Sequence, residues 1–118
     1  GPDTSVLDEN AMLENLMDDR ELAARVAGRF LNDLDGQLQA LRDAFSRNDL
    51  ETVREVAHSL KGGASYLGAS RMRQASESLE MSIREGVVDP LNTMVSKVET
   101  EASLLVEALR AAGFSASP

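Results

Sequence analysis

From residue 3 to residue 89 the chain carries no proline; its three prolines stand at 2, 90 and 118. Proline removes a backbone donor and clashes with the preceding turn, so this gap permits continuous helix wherever glycine does not intervene. Apolar side chains within it recur at intervals of three and four, which is the step of one helical face and not the alternation of a strand. Leu50, Val53, Ala57, Leu60, Ala64 and Leu67 give the most regular stripe, and Gly68 suits the position just past a helix end. Asn48 and Glu51 stand before it at capping-box spacing. Upstream, Leu22, Val26, Phe30, Leu34, Leu38, Leu41 and Phe45 line one long face between Asp18-Asp19 and Asn48, with Asp35-Gly36 expected to bend or split it. A short first helix, capped by Asp8, presents Met12, Leu13, Leu16 and Met17. Ser70 is placed to cap a helix that buries Met72, Ala75, Leu79 and Ile83 and stops at Gly86. Asp89-Pro90 reads as N-cap and first-turn proline of a last helix carrying Leu91, Val95, Val98, Ala102, Leu105, Leu109 and Ala112, up to Gly113. The expected fold is all-α: an antiparallel up-down four-helix bundle with a short extra N-terminal helix.

At 118 residues there is room for one such domain. Its expected bounds are 6–114, with 1–5 a cloning remnant or linker and 115–118 a tail. Aromatic residues make up only 3% of the chain and hydrophobic ones 42%, so Leu, Val, Ala and Met must fill the core, a mixture that favours helix. Twenty acidic residues against 12 basic ones leave a net charge of −8. That balance argues against nucleic acid and against contact with an anionic membrane surface. The absence of cysteine and the presence of one histidine exclude disulfides, thiolate chemistry and metal sites built on several imidazoles. No run approaches the ~20 apolar residues of a membrane span, and no signal peptide opens the chain. A soluble, cytoplasmic, monomeric domain is the expectation; the sequence leaves open whether it stands alone or is one piece of a longer parent chain, which could be membrane-anchored.

One local rule is broken. Gly62 and Gly63 fall inside the best-patterned helix, where each costs ~1 kcal/mol relative to alanine. Gly63 lies near the apolar side, as close helix packing would require. Gly62 does not. At ~100° per residue, His58 lies about 130° from the buried direction, with Gly62 on the same outer side. Residues three and four apart are surface neighbours, so Lys61 and Gly62 flank His58 one turn on, Arg54 and Glu55 flank it one turn back, and Ser65 lies beyond. Ser59 points ~100° away from His58, which leaves no hydrolase triad. Free imidazole titrates near pH 6.5, so it can attack phosphorus at neutral pH without a base. A nearby ammonium stabilises phosphoryl oxygens. A missing Cβ lets a second protein's backbone come close.

The run Ala57-His58-Ser59-Leu60-Lys61-Gly62-Gly63-Ala64-Ser65-Tyr66-Leu67-Gly68-Ala69 strongly resembles the histidine-containing phosphotransfer (HPt) domains of multistep two-component phosphorelays. Their signature is matched by His58, Leu60, Lys61, Gly62 and Gly68, and the likeness in helix order covers nearly the whole chain. The resemblance implies that His58 accepts a phosphoryl group on its distal ring nitrogen, that Lys61 neutralises it and that Gly62 gives a receiver domain access. It implies no cofactor in this chain, because the magnesium belongs to the partner receiver. It also implies docking across the N-terminal helices and the histidine helix, with Met12, Leu16 and Met17 as apolar contacts beside Arg54, Ser65 and Tyr66. Family members often place a basic or amide side chain on the next helix. Arg84 is the candidate for that role, and Glu80 stands where an amide is expected.

Two functions compete. In the first, the domain is a phosphocarrier without autonomous kinase activity, since it lacks nucleotide-binding glycine loops. It takes phosphoryl groups from one receiver, of a response regulator or a hybrid histidine kinase, and passes them to another. In the second, an unphosphorylated helical module regulates a receiver or kinase by docking alone. Replacing His58 separates the two.

Overall fold

The computed structural model describes residues 5–116. It contains α1 (Glu9–Asn15), α2 (Arg20–Ser46), α3 (Leu50–Tyr66), α4 (Ser70–Arg84) and α5 (Leu91–Ala111), with no strand among the described residues. Helices α2 to α5 each pack on the next, and α5 returns against α2 to close the ring. Short turns between long helices make the neighbours antiparallel, so the all-α bundle with a short leading helix stands as expected. Residues 1–4 and 117–118, parts of the expected linker and tail, lie outside the described residues.

The α3 stripe is buried as read from its second residue on: Val53, Ala57, Leu60, Ala64 and Leu67 are all fully covered, while Leu50 at its start is half-buried against the core. On α5, Leu91, Val95, Val98, Ala102, Leu105 and Leu109 are buried too, together with Glu101. On α2 the deepest line is rotated toward small side chains. Ala23, Ala27, Phe30, Leu34, Leu41 and Ala44 are buried, while Leu22, Val26, Leu38 and Phe45 pack at its border. The helix is also unbroken through Asp35-Gly36. Gly36 is exposed, and its local cost of ~1 kcal/mol is outweighed by burying Leu34 and Leu41 on either side, at about 1.5–3 kcal/mol each.

Three helix starts fall one residue beyond or before their expected caps. Asp49 caps α3, its Oδ1 accepting from the Thr52 N–H at 3.2 Å and its Oδ2 from the Thr52 hydroxyl at 2.7 Å. Asn48 instead makes the turn into α3 at φ +59°, a conformation asparagine tolerates better than most residues. Ala69 holds the cap position of α4, so Ser70 is its first residue, and Pro90 holds that of α5, ahead of Leu91.

Helix α1 is stitched to the far end of α3. Asp8 caps α1 by accepting from the Ala11 N–H at 3.0 Å, and its own N–H donates to the Gly68 carbonyl at 2.9 Å. Gly68 has φ +69°, and a Cβ there would lie 2.6 Å from the Asp8 carbonyl oxygen. At the other end of α1, Asn15 Nδ2 donates to the Ser65 carbonyl at 3.1 Å and the Tyr66 carbonyl at 3.4 Å. The seam therefore depends on a left-handed glycine with no side chain.

Candidate functional site

Turning the Ala57–Leu60–Ala64 stripe inward puts His58 on the outer flank of α3, with a side chain 61% exposed. Lys61, three residues on, shares that edge. From α4 the site receives Glu80, which is 1% exposed. Its Oε2 accepts from His58 Nδ1 at 2.7 Å and its Oε1 from Lys61 Nζ at 2.7 Å. Arg84, one turn along α4, brings Nη2 to 3.4 Å from the same Oε2. A single buried carboxylate thus holds both candidate side chains of α3 and has a further cation at its rim.

Burial by itself pushes the Glu80 carboxyl up. Hydrogen bonds from Lys61 and His58, with their charges, outweigh it and hold the group below the usual carboxylate range. Glu80 is therefore ionised at neutral pH. An ionised carboxylate only accepts hydrogen bonds, so the hydrogen in the 2.7 Å contact belongs to Nδ1. In the neutral ring the lone pair then resides on Nε2. Lys61 has three donors, of which Glu80 takes one.

The two glycines have separate reasons. A Cβ on Gly63 would meet the Phe30 ring at 2.9 and 3.0 Å, whereas one on Gly62 would meet nothing within 4 Å. Gly63 is a packing residue, and Gly62 leaves bare backbone beside His58. Ser59 faces α2, where its Oγ accepts from Gln37 Nε2 at 3.0 Å. Ser65 is exposed, its Oγ donating to the Lys61 carbonyl at 2.9 Å, and Tyr66 is 60% exposed. Arg54 turns to Glu51 on its own helix.

The sequence-predicted apolar contacts divide. Met17, just beyond α1, is 79% exposed, but Met12 is completely buried and Leu16 is 6% exposed. Met12 and Leu16 are core residues and offer a partner no surface, because the stitching of α1 turns its apolar side onto the bundle. Glu80 is the site residue whose contribution the sequence understated. Its one signal was position: a carboxylate at the margin of the α4 arc of Met72, Ala75 and Leu79, where a solvated residue would sit further round.

A second buried carboxylate, Glu101, accepts on Oε2 from Arg71 at 2.9 Å and from Lys97 at 3.0 Å, while its Oε1 has no partner. These residues line a groove of about 460 Å³ between α4 and α5, with Ala75 and Met94. At ~100° per residue this groove lies on the flank of α4 opposite Glu80. Among the described residues no cluster of three or more His, Asp or Glu side chains could hold a metal ion, and no helix is long and apolar enough to cross a membrane.

An exposed imidazole oriented by a buried acid, with an ammonium and open backbone beside it, defines a histidine-presenting helical bundle. A model of the Hpt domain family matches residues 25–112, and the chain belongs to that family. Its members are phosphocarrier domains of two-component phosphorelays, not kinases. The chain is 26% identical over 108 residues to the sensor histidine kinase GacS of Pseudomonas protegens, covering 86% of this chain and 12% of that protein. It is 26% identical over 106 residues to the sensor protein GacS of Pseudomonas syringae pv. syringae, covering 85% and 12%. The chain therefore spans about an eighth of the length of these curated relatives. Among solved structures it resembles histidine-containing phosphotransfer protein B (HptB) of Pseudomonas aeruginosa PAO1, with TM-score 0.82 and 23% identity over 92% of this chain and 95% of that one. The HPT domain of a hybrid histidine kinase from Shewanella superposes with TM-score 0.74 and 18% identity, covering 90% and 95%.

Proposed function

We propose that His58 is the phosphoacceptor of this domain, taking a phosphoryl group on Nε2 from the aspartyl phosphate of one receiver domain and yielding it to another. The observation that carries the reading is the His58–Glu80 contact of 2.7 Å on a ring that is 61% exposed. It fixes the hydrogen on Nδ1 and gives the lone pair to the other nitrogen. Lys61 supplies its remaining donors to the phosphoryl oxygens, and Gly62 admits the receiver's loops. Met17, Ser65, Tyr66, Arg54 and Arg84 border the docking face. The domain works as a monomer on the cytoplasmic side, needs no cofactor of its own and relies on magnesium held by the receiver.

Incubation with a phosphorylated receiver tests this directly. The expected product is an acid-labile, alkali-stable label on the domain, lost completely in His58→Gln. Labelling that survives the substitution ends the proposal. Receiver binding and regulation that persist undiminished without any labelling of the wild-type domain identify a docking module instead.

A further inference from the structure

We infer that the groove between α4 and α5 is a binding site for a small 2-hydroxy carboxylate with an apolar substituent. The groove holds about 460 Å³, within the range of about 300–1,000 Å³ that small-molecule sites occupy. Its walls offer both kinds of surface that such a ligand needs. Ala75 of α4 and Met94 of α5 give apolar contact, while Arg71 of α4 and Lys97 and Glu101 of α5 give charge. Occupancy there is independent of what His58 does, because the groove lies on the flank of α4 opposite Glu80.

What sets the ligand class is one unmet acceptor beside two cations with donors to spare. Glu101 is 1% exposed. Burial raises its carboxyl, but Arg71 and Lys97 outweigh that and keep it ionised at neutral pH. Both cations sit on Oε2, at 2.9 and 3.0 Å, whereas Oε1 is buried with no partner. A buried carboxylate oxygen gains from any donor that reaches it. Arginine carries five N–H donors and lysine three, so after their contacts to Glu101 both can still hold an anion. Two cations on one carboxylate leave a net charge of +1, which a monoanion neutralises. The chain's overall −8 is screened beyond a Debye length of about 8 Å. Because Oε1 and Oε2 belong to one carboxylate, the ligand's own donor must stand next to its acid. A hydroxyl on the carbon beside a carboxylate meets that condition. The hydroxyl donates to Oε1 and the carboxylate accepts from Arg71 and Lys97, while the substituent lies along Ala75 and Met94. Oε1 is reached by displacing the Lys97 side chain, which is 59% exposed. An ammonium in place of the hydroxyl would set a third cation beside the first two.

Mandelate, whose phenyl, hydroxyl and carboxylate supply all three parts, is the probe. Backbone amide shifts of the ¹⁵N-labelled domain are followed at pH 7 with each enantiomer of mandelate, and with phenylacetate, benzyl alcohol and phenylglycine. At least one enantiomer should give saturable shifts confined to residues 71–78 and 94–101, at about the millimolar concentrations expected for so small a ligand. Phenylacetate lacks the donor and benzyl alcohol lacks the acid. Each leaves a polar partner unmet and should bind at least about fivefold more weakly. Phenylglycine, with its ammonium, should also bind more weakly than mandelate. Arg71→Gln should weaken mandelate about tenfold by removing a charge-assisted contact, and Lys97→Gln gives the same reading if R71Q does not fold. Shifts that do not saturate or that centre elsewhere overturn the site. Phenylacetate equal to mandelate, phenylglycine tighter than it, or an unchanged affinity in the variant overturns the assignment of ligand and contacts.

Discussion

At the scale of single residues, Gly62 and Gly63 show how adjacent identical residues come to have opposite roles. A methyl group at Gly62 enters open space and at Gly63 enters the Phe30 ring. Gly62→Ala should therefore raise stability by about 0.5–1 kcal/mol, through helix propensity and a less flexible unfolded chain. Gly63→Ala should lower it by about 1–3 kcal/mol, because overpacking forces a buried ring to move. Urea midpoints of the two variants check both signs, and a stabilised G63A would mean that Phe30 yields at little cost. A bulkier Gly62→Gln should fold and yet slow phosphoryl transfer, which separates access from stability. The sequence distinguished these glycines because helical phase alone fixes which of them faces inward. It could not do the same for Glu80. That residue lies 22 positions from His58 and 19 from Lys61, and nothing in local periodicity says that a carboxylate at the edge of one helix will be sealed against the next.

At the scale of elements, α1 is the piece whose existence depends least on itself. Seven residues are too few for a helix to persist alone in water. What holds α1 is Met12 in the core and hydrogen bonds at both ends, to Gly68 and to the carbonyls of Ser65 and Tyr66. Gly68→Ala combines a left-handed backbone that alanine disfavours by about 1–2 kcal/mol with a Cβ 2.6 Å from the Asp8 carbonyl. It should cost at least ~2 kcal/mol and release α1 first. Amide exchange in residues 9–15 should then accelerate well beyond that in α3 and α5; uniform acceleration would show that α1 is not separately anchored. The same element shows why helix existence was legible and exact boundaries were not. Cap-forming side chains stood in adjacent pairs at Asp18-Asp19 and Asn48-Asp49. The choice between Asn48 and Asp49 fell to which of them could turn with φ +59°, a matter of loop closure and not of pattern. Gly36 failed to interrupt α2 for a related reason: the helix is held by residues on its other face.

At the scale of the whole molecule, two buried carboxylates join the helices that close the bundle, Glu80 between α4 and α3 and Glu101 between α5 and α4. In each, burial pushes the carboxyl up, but hydrogen bonds and charge from its cationic partners, and at Glu80 from His58, pull it below the usual range. A group whose folded value is depressed binds fewer protons in the native than in the unfolded state. Its stabilisation is therefore complete above the unfolded glutamate value of ~4.3 and is lost as pH falls through the folded one. Glu101 gives the clean test, since it lies away from His58. Removing one member of a buried ion pair typically costs 3–5 kcal/mol, but the Arg71 and Lys97 side chains are 37% and 59% exposed, and solvent reduces what they lose. Glu101→Gln should therefore cost about 1–3 kcal/mol at pH 7. The gap between variant and wild type, read from urea midpoints, should narrow steadily as the pH falls below the unfolded glutamate value of ~4.3 and wild-type Glu101 takes up its proton. A constant gap would show that the cluster acts through packing, because shape does not titrate and charge does.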